Sequence, residues 1–155
     1  SGNPIEYYKN IVKYLNYNAI NIINFDVDNL NDKSIERNIN FISDKFPEIL
    51  ILEIIDDDAK KIKNRKLNLE LIDNNNDKHK YVLDAAIIRD KDKQHFCSVL
   101  TCNGEELSFD GASYSRLNKF KWKSYLNKKK DWGFEGHDLK WSFMSGYQML
   151  FYYKI

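Results

Sequence analysis

The chain divides by the period of its apolar residues. Near the start, Ile5, Tyr8, Val12 and Leu15 recur on one helical face. Asn3 can cap that helix, Pro4 suits its first position, and Glu6 stands three residues after the cap. A short apolar strand is predicted at "INIINF" (20–25), followed by a second helix in "DKSIERNINFISDKFPE" (32–48). There Ile35, Ile39, Ile42 and Phe46 keep helical spacing, and Pro47 is expected to end the helix because the residue before proline avoids the α region.

Beyond Pro47 the period changes. "EILILEII" (48–55) is nearly continuous apolar sequence rich in isoleucine, the pattern of a central strand buried on both faces. The charged stretch 56–66 reads as a loop. "LNLELI" (67–72) alternates as a strand, and "NNND" (74–77) is a turn. "KYVLDAAIIRD" (80–90) is the next strand, and "YQMLFYYKI" (147–155) is a long apolar strand at the end.

Between them, "HFCSVLTCNGEELSF" (95–109) alternates, turns at Asn103-Gly104 and alternates again. Asn-Gly fits a two-residue type I′ turn, which needs positive φ at both positions. That turn sets Cys102 opposite Glu105, hence Cys97 opposite Asp110 and His95 opposite Ala112. The count is two N-terminal helices and about six strands in mostly antiparallel order, an α+β fold. One domain is expected over residues 1–155, with a helical part at 3–45 and the sheet at 46–155.

Composition narrows the function classes. A formal charge of +1 with 30% charged residues sets up no strong field toward nucleic acid or an anionic membrane, so neither is expected as a partner. The basic runs "KKIKNRK" (60–66) and "NKKK" (127–130) read as solvated loops rather than a phosphate site. No run of about eighteen apolar residues occurs and no signal-peptide pattern opens the chain. The opening "SGNP" reads as an expression scar, so the chain is expected to be excised from something longer. Cys97 and Cys102 point to opposite faces of one strand and are poor disulfide partners, which suits a reducing, cytoplasmic setting.

Candidate chemistry centres on His95, one of 3 histidines. On the hairpin register His95, Cys97, Asp110 and Ala112 share a face, and His95 and Asp110 are diagonal neighbours roughly 7–8 Å apart at the backbone. A carboxylate there would fix the tautomer of the imidazole and stabilise an imidazolium. The same placement also suits an exposed polar pair at the open end of a hairpin, and geometry alone leaves both readings open.

The order of segments resembles the C-terminal half of the ubiquitin-specific protease family of cysteine peptidases. "FPEILILEI" (46–54) is similar to that family's "LP-x-x-L-I-L" strand entry, and "YVLDAAII" (81–88) to its "Y-x-L-x-A-x-I" strand. "HFCSVL" (95–100) looks like the strand that opens with the catalytic histidine, "ELSFDG" (106–111) like "W-x-x-F-D-D", and "GYQMLFYYKI" (146–155) like "A-Y-x-L-F-Y". The resemblance covers roughly residues 46–155 and implies the palm of such a peptidase, with His95 as general base and Asp110 as orienting acid. Ubiquitin or a ubiquitin-like protein is the implied partner, beside other domains of a longer parent chain. The "HFC…TCNG…FDG" pattern and the Asn/Lys/Ile bias also resemble proteins of large DNA viruses with AT-rich genomes. That origin would place the protein in the host cytoplasm or the virion.

The sequence departs from the family at "FDG" for "FDD", at Gln94 for the glycine before histidine, and in having no Cys-x-x-Cys pairs. The family's nucleophile segment "N-x-x-C" has no counterpart in this chain, so the resemblance implies a nucleophile supplied from outside it. Cys97 is a poor substitute: along the strand it stands roughly 6.5–7 Å from His95, beyond hydrogen-bond reach. The alternative function is a non-catalytic interaction or structural module that keeps the peptidase sheet.

No cofactor and no metal are expected: His95-x-Cys97 with Cys102 matches no zinc spacing, and Asp56, Asp57 and Asp58 lack a calcium-loop pattern. Trp122, Trp132 and Trp141 are expected to anchor loops to the sheet through their indole N–H groups. His79 and His137 are expected to be exposed and inert.

Overall fold

A βαβ unit opens the sheet. The strand Ile22–Asp26 (β1) lies parallel to Ile49–Ile54 (β2), and the helix Asp32–Ile42 (α2) connects them. Asn31 starts α2 as its N-cap, its side chain accepting from the N–H groups of Lys33 (2.9 Å) and Ser34 (3.3 Å). This computed structural model describes residues 4–16, 20–92, 95–111, 117–136 and 138–155. Asn3, Gln94, Ala112 and His137 lie outside that set.

The other pairings are antiparallel. The remaining strands are Asn68–Ile72 (β3), Lys78–Arg89 (β4), Phe96–Cys102 (β5), Glu105–Phe109 (β6), the two-residue Asn118–Lys119 (β7) and Gln148–Lys154 (β8). The sheet runs β1-β2-β8-β4-β5-β6-β7, and β3 also pairs with β4. Tyr81 and Val82 pair with both β3 and β8, and Ala85 to Ile88 with both β5 and β8. β3 and β5 therefore lie end to end along one edge of the twelve-residue β4.

The two faces of the sheet are covered unequally. Leu50, Leu52, Leu83, Val99, Leu150 and Tyr152 face a large core shared with Ile35 and Ile39 of α2 and with Trp122, Trp132, Trp141 and Phe143. The opposite face carries a smaller cluster, Ile51 and Met149 packed on Ile5 of the helix Pro4–Leu15 (α1). Within β4 the pairing with β8 slips by one residue between Leu83 and Ala85. That bulge at Asp84 moves the buried positions from Tyr81 and Leu83 to Ala86 and Ile88, so one strand keeps an apolar side toward the large core along its length.

The α+β class, the antiparallel majority and the interior place of residues 48–55 agree with the sequence pattern. Other expectations need correcting. Eight strands are present among the described residues rather than about six: that count leaves out β1, which lies between the two helices, and β7 is too short to show a period. α2 ends at Ile42, not at Phe46: Ser43 adopts an extended conformation and its N–H bonds to Ile39 O. Phe46 is buried outside the helix and stacks on His79, with ring centroids 4.6 Å apart. The charged stretch after β2 carries one helical turn, Asp56–Ala59 (α3), and Arg65 within it is buried.

Candidate active site

The hairpin that carries His95 and Asp110 folds in the expected register. Asn103 (φ 49°) and Gly104 (φ 78°) both take positive φ, and the pairs run from Cys102↔Glu105 to Ser98↔Phe109. His95 stands just before β5 and Asp110 just after β6, so the open end of the hairpin brings them together. His95 Nε2 and Asp110 Oδ1 are 2.5 Å apart. The Asp110 side chain is 0% exposed and that of His95 is 31% exposed. A buried acid thus holds an imidazole that still reaches solvent.

The histidine backbone is held as firmly as its ring. Its N–H donates to Asp90 Oδ1 (2.7 Å), and its carbonyl accepts from Asp90 N–H (2.8 Å) and from Trp141 Nε1 (3.3 Å). The Trp141 ring lies tilted beside the imidazole at 6.1 Å between centroids. Asp90 and Trp141 carry no motif that marks them in the sequence. Asp90 reads as the end of a strand, and only the pairing of β4 with β5 shows that it faces His95. The anchoring expected of the tryptophans holds for Trp141 and for Trp122, whose indole donates to Leu100 O at 3.1 Å.

The contact with Asp110 engages Nε2 and leaves Nδ1 as the other ring nitrogen. The clamps on the backbone keep the ring from turning away. The structure thus brings the two residues together, one buried and one reaching solvent. Neither thiol adds a nucleophile to them. Cys97 is 2% exposed in the large core, and burial, then the negative charge of Asp110, push its thiol above the ordinary range. Cys102 is exposed at the far end of β5, roughly 20 Å away along the strand.

His79 is not the exposed residue its setting suggests. Its Nε2 meets Asp73 Oδ2 at 2.8 Å while its ring stacks on Phe46, which makes it a structural residue of the β3–β4 turn. Among the described residues no group of three or more His, Cys, Asp or Glu side chains could hold a metal ion, and no helix is long and apolar enough to cross a membrane.

No protein-family model and no curated protein matches this sequence. Among solved structures the chain is similar to a chain in the structure of a SAGA DUB module containing Ubp8, Sgf11, Sus1 and Sgf73. The TM-score is 0.46 and the identity 16%. The match covers 72% of this chain and 24% of that one, so this chain spans about a quarter of its length.

Proposed function

We propose that this domain supplies the general base and the orienting acid of a thiol hydrolase acting at the C-terminal glycine of ubiquitin or a ubiquitin-like modifier. The observation that carries the reading is the contact between a fully buried Asp110 and a solvent-reaching His95. The motif order that resembles ubiquitin-specific proteases supplies the substrate class.

In this scheme His95 Nδ1 takes the proton of a cysteine thiol contributed from outside the chain. Asp110 holds the resulting imidazolium through Nε2. The thiolate adds to the glycine carbonyl carbon, the C–N bond to the leaving amine breaks, and His95 returns its proton to that amine. Water, deprotonated by the same histidine, then hydrolyses the thioester. The placement of Cys97 and Cys102 gives the second reading, a non-catalytic module with the same sheet.

A ubiquitin probe with a thiol-reactive C-terminus separates these readings. The chain alone should not be labelled, whereas a longer protein containing it should be labelled at a cysteine outside residues 1–155, with loss of labelling in His95→Ala. Labelling of this chain at Cys97, abolished by His95→Ala, would overturn the split arrangement. Absence of labelling in both proteins, across ubiquitin and ubiquitin-like probes, would overturn the enzymatic reading in favour of the module.

A further inference from the structure

The two basic runs are far apart in sequence and adjacent in the fold. Asn127 ties them together: its side-chain oxygen accepts from Arg65 N–H (2.6 Å) and its amide donates to Arg65 O (3.2 Å). Beside this joint lies a cleft of about 670 Å³ lined by Lys60 from the first run and by Lys129 and Lys130 from the second. Lys91, Asp131 and Ser145 complete its polar lining with Ser142.

Four lysines and one carboxylate, Asp131, therefore line a single cleft. Asp131 is engaged by Lys91, at 2.8 and 2.9 Å. Among the described residues Lys60, Lys129 and Lys130 make no salt bridge, and Lys130 instead sits 5.3 Å over the Tyr125 ring. Lysines in excess of the carboxylate beside them repel one another, and a multivalent anion relieves that repulsion. Lysine serves a phosphate as a point charge. Among the described residues no aromatic ring lines the cleft to stack on a base, so the chemistry suits phosphate groups rather than a whole nucleotide.

We propose that this cleft is a binding site for a compact polyphosphate anion, either a soluble polyphosphate or the headgroup of a phosphoinositide. The site is distinct from the pair of His95 and Asp110 but borders its supports. Lys91 follows Asp90, and Ser142 follows Trp141, the two residues that fix the His95 backbone. The proposal does not depend on the hydrolase reading, because it needs only the lysines that line the cleft.

The test is titration calorimetry of the intact chain with inorganic tripolyphosphate at near-physiological salt, with sulfate as the weakly charged comparison. Tripolyphosphate should bind at one site and more tightly than sulfate. The triple variant Lys91→Gln, Lys129→Gln, Lys130→Gln should lose roughly tenfold or more in affinity. A charge-matched control, Lys9→Gln, Lys45→Gln, Lys80→Gln, should bind as the parent does, with circular dichroism checking both folds. If the triple variant unfolds, the single exposed substitution Lys129→Gln should still weaken binding.

Cosedimentation with phosphatidylcholine vesicles, with and without phosphatidylinositol bisphosphate, separates the sources. Vesicle binding that depends on the cleft lysines points to the headgroup, and binding of tripolyphosphate alone points to a soluble anion. Absence of binding to either, or equal loss in the control variant, would overturn the site.

Discussion

Asp90 grips His95 by both backbone groups, accepting from its N–H with Oδ1 (2.7 Å) and donating its own N–H to its carbonyl (2.8 Å). The side-chain half of this grip can be removed alone. In Asp90→Ala the His95 N–H loses its acceptor, at a cost of about 1–3 kcal/mol, and the ring loses its fixed bearing on Asp110. Asp90→Asn keeps an acceptor and should recover most of the loss. Urea unfolding gives the stability difference. The imidazole resonances of His95 should shift in the alanine variant and stay near their original positions in the asparagine variant.

The two thiols should differ sharply toward iodoacetamide. Cys102 is exposed, while Cys97 is buried and its thiol is raised well above the ordinary range. Mass spectrometry of the native chain at mildly alkaline pH should find rapid modification at Cys102 and none at Cys97 until the protein is unfolded. Fast native labelling of Cys97 would show that the core above β5 opens.

Ile51 is 3% exposed on an interior strand. An aspartate there places an unpaired charge between the sheet and α1, at several kcal/mol against a net stability of similar size. Ile51→Asp should lack a cooperative thermal transition by circular dichroism. Phe41→Asp, at an exposed position near the end of α2, should melt close to the parent.

Arg65 is a second point of failure. Its guanidinium donates to Ile62 O (2.9 Å), Ala59 O (3.0 Å), Gln148 Oε1 (3.2 Å) and Phe143 O. Burial pulls its pKa down to about 10, so it stays charged at neutral pH. Arg65→Met fills similar space but strands these acceptors, and should cost about 3 kcal/mol or more by denaturant unfolding.

The β3–β4 turn should add an acid-sensitive component. Bonds from His79, and then from Asp77 N–H, hold the Asp73 carboxyl below its ordinary 3.8. A carboxyl with a lowered folded-state pKa contributes stability above its unfolded value and loses it as pH falls through the folded value. The loss should therefore fall below pH 3.8, and Asp73→Asn should flatten that part of a stability-against-pH curve. An unchanged curve would show that the turn contributes nothing there.

The sequence is most informative where a period or a turn chemistry acts locally. Asn103-Gly104 dictates one turn, that turn dictates the hairpin register, and the register brings His95 to Asp110. Long-range pairings leave no such mark. The support given by Asp90 depends on how β4 meets β5, and the burial of Arg65 depends on Phe143 and Gln148, which lie far along the chain. The helical spacing of Phe46 misleads because a buried aromatic just past a helix end falls on the same period as the helix itself. Lysines in loops look solvated one run at a time, and only the tie between Asn127 and Arg65 shows two runs facing one space.

The position of β8 has a consequence for how the chain acquires its fold. It is last in sequence among the described strands yet lies between β2 and β4, where Ile51 pairs with Phe151 and Ala86 with Leu150. During synthesis the βαβ unit and the meander from β3 to β6 emerge first, each with an open strand edge and no partner to join them. Such distant pairing slows folding, and exposed edges invite pairing with other chains. A nascent chain stalled before Gln148 should therefore remain protease-sensitive and prone to self-association. Emergence of residues 148–154 would then close both edges in one cooperative step.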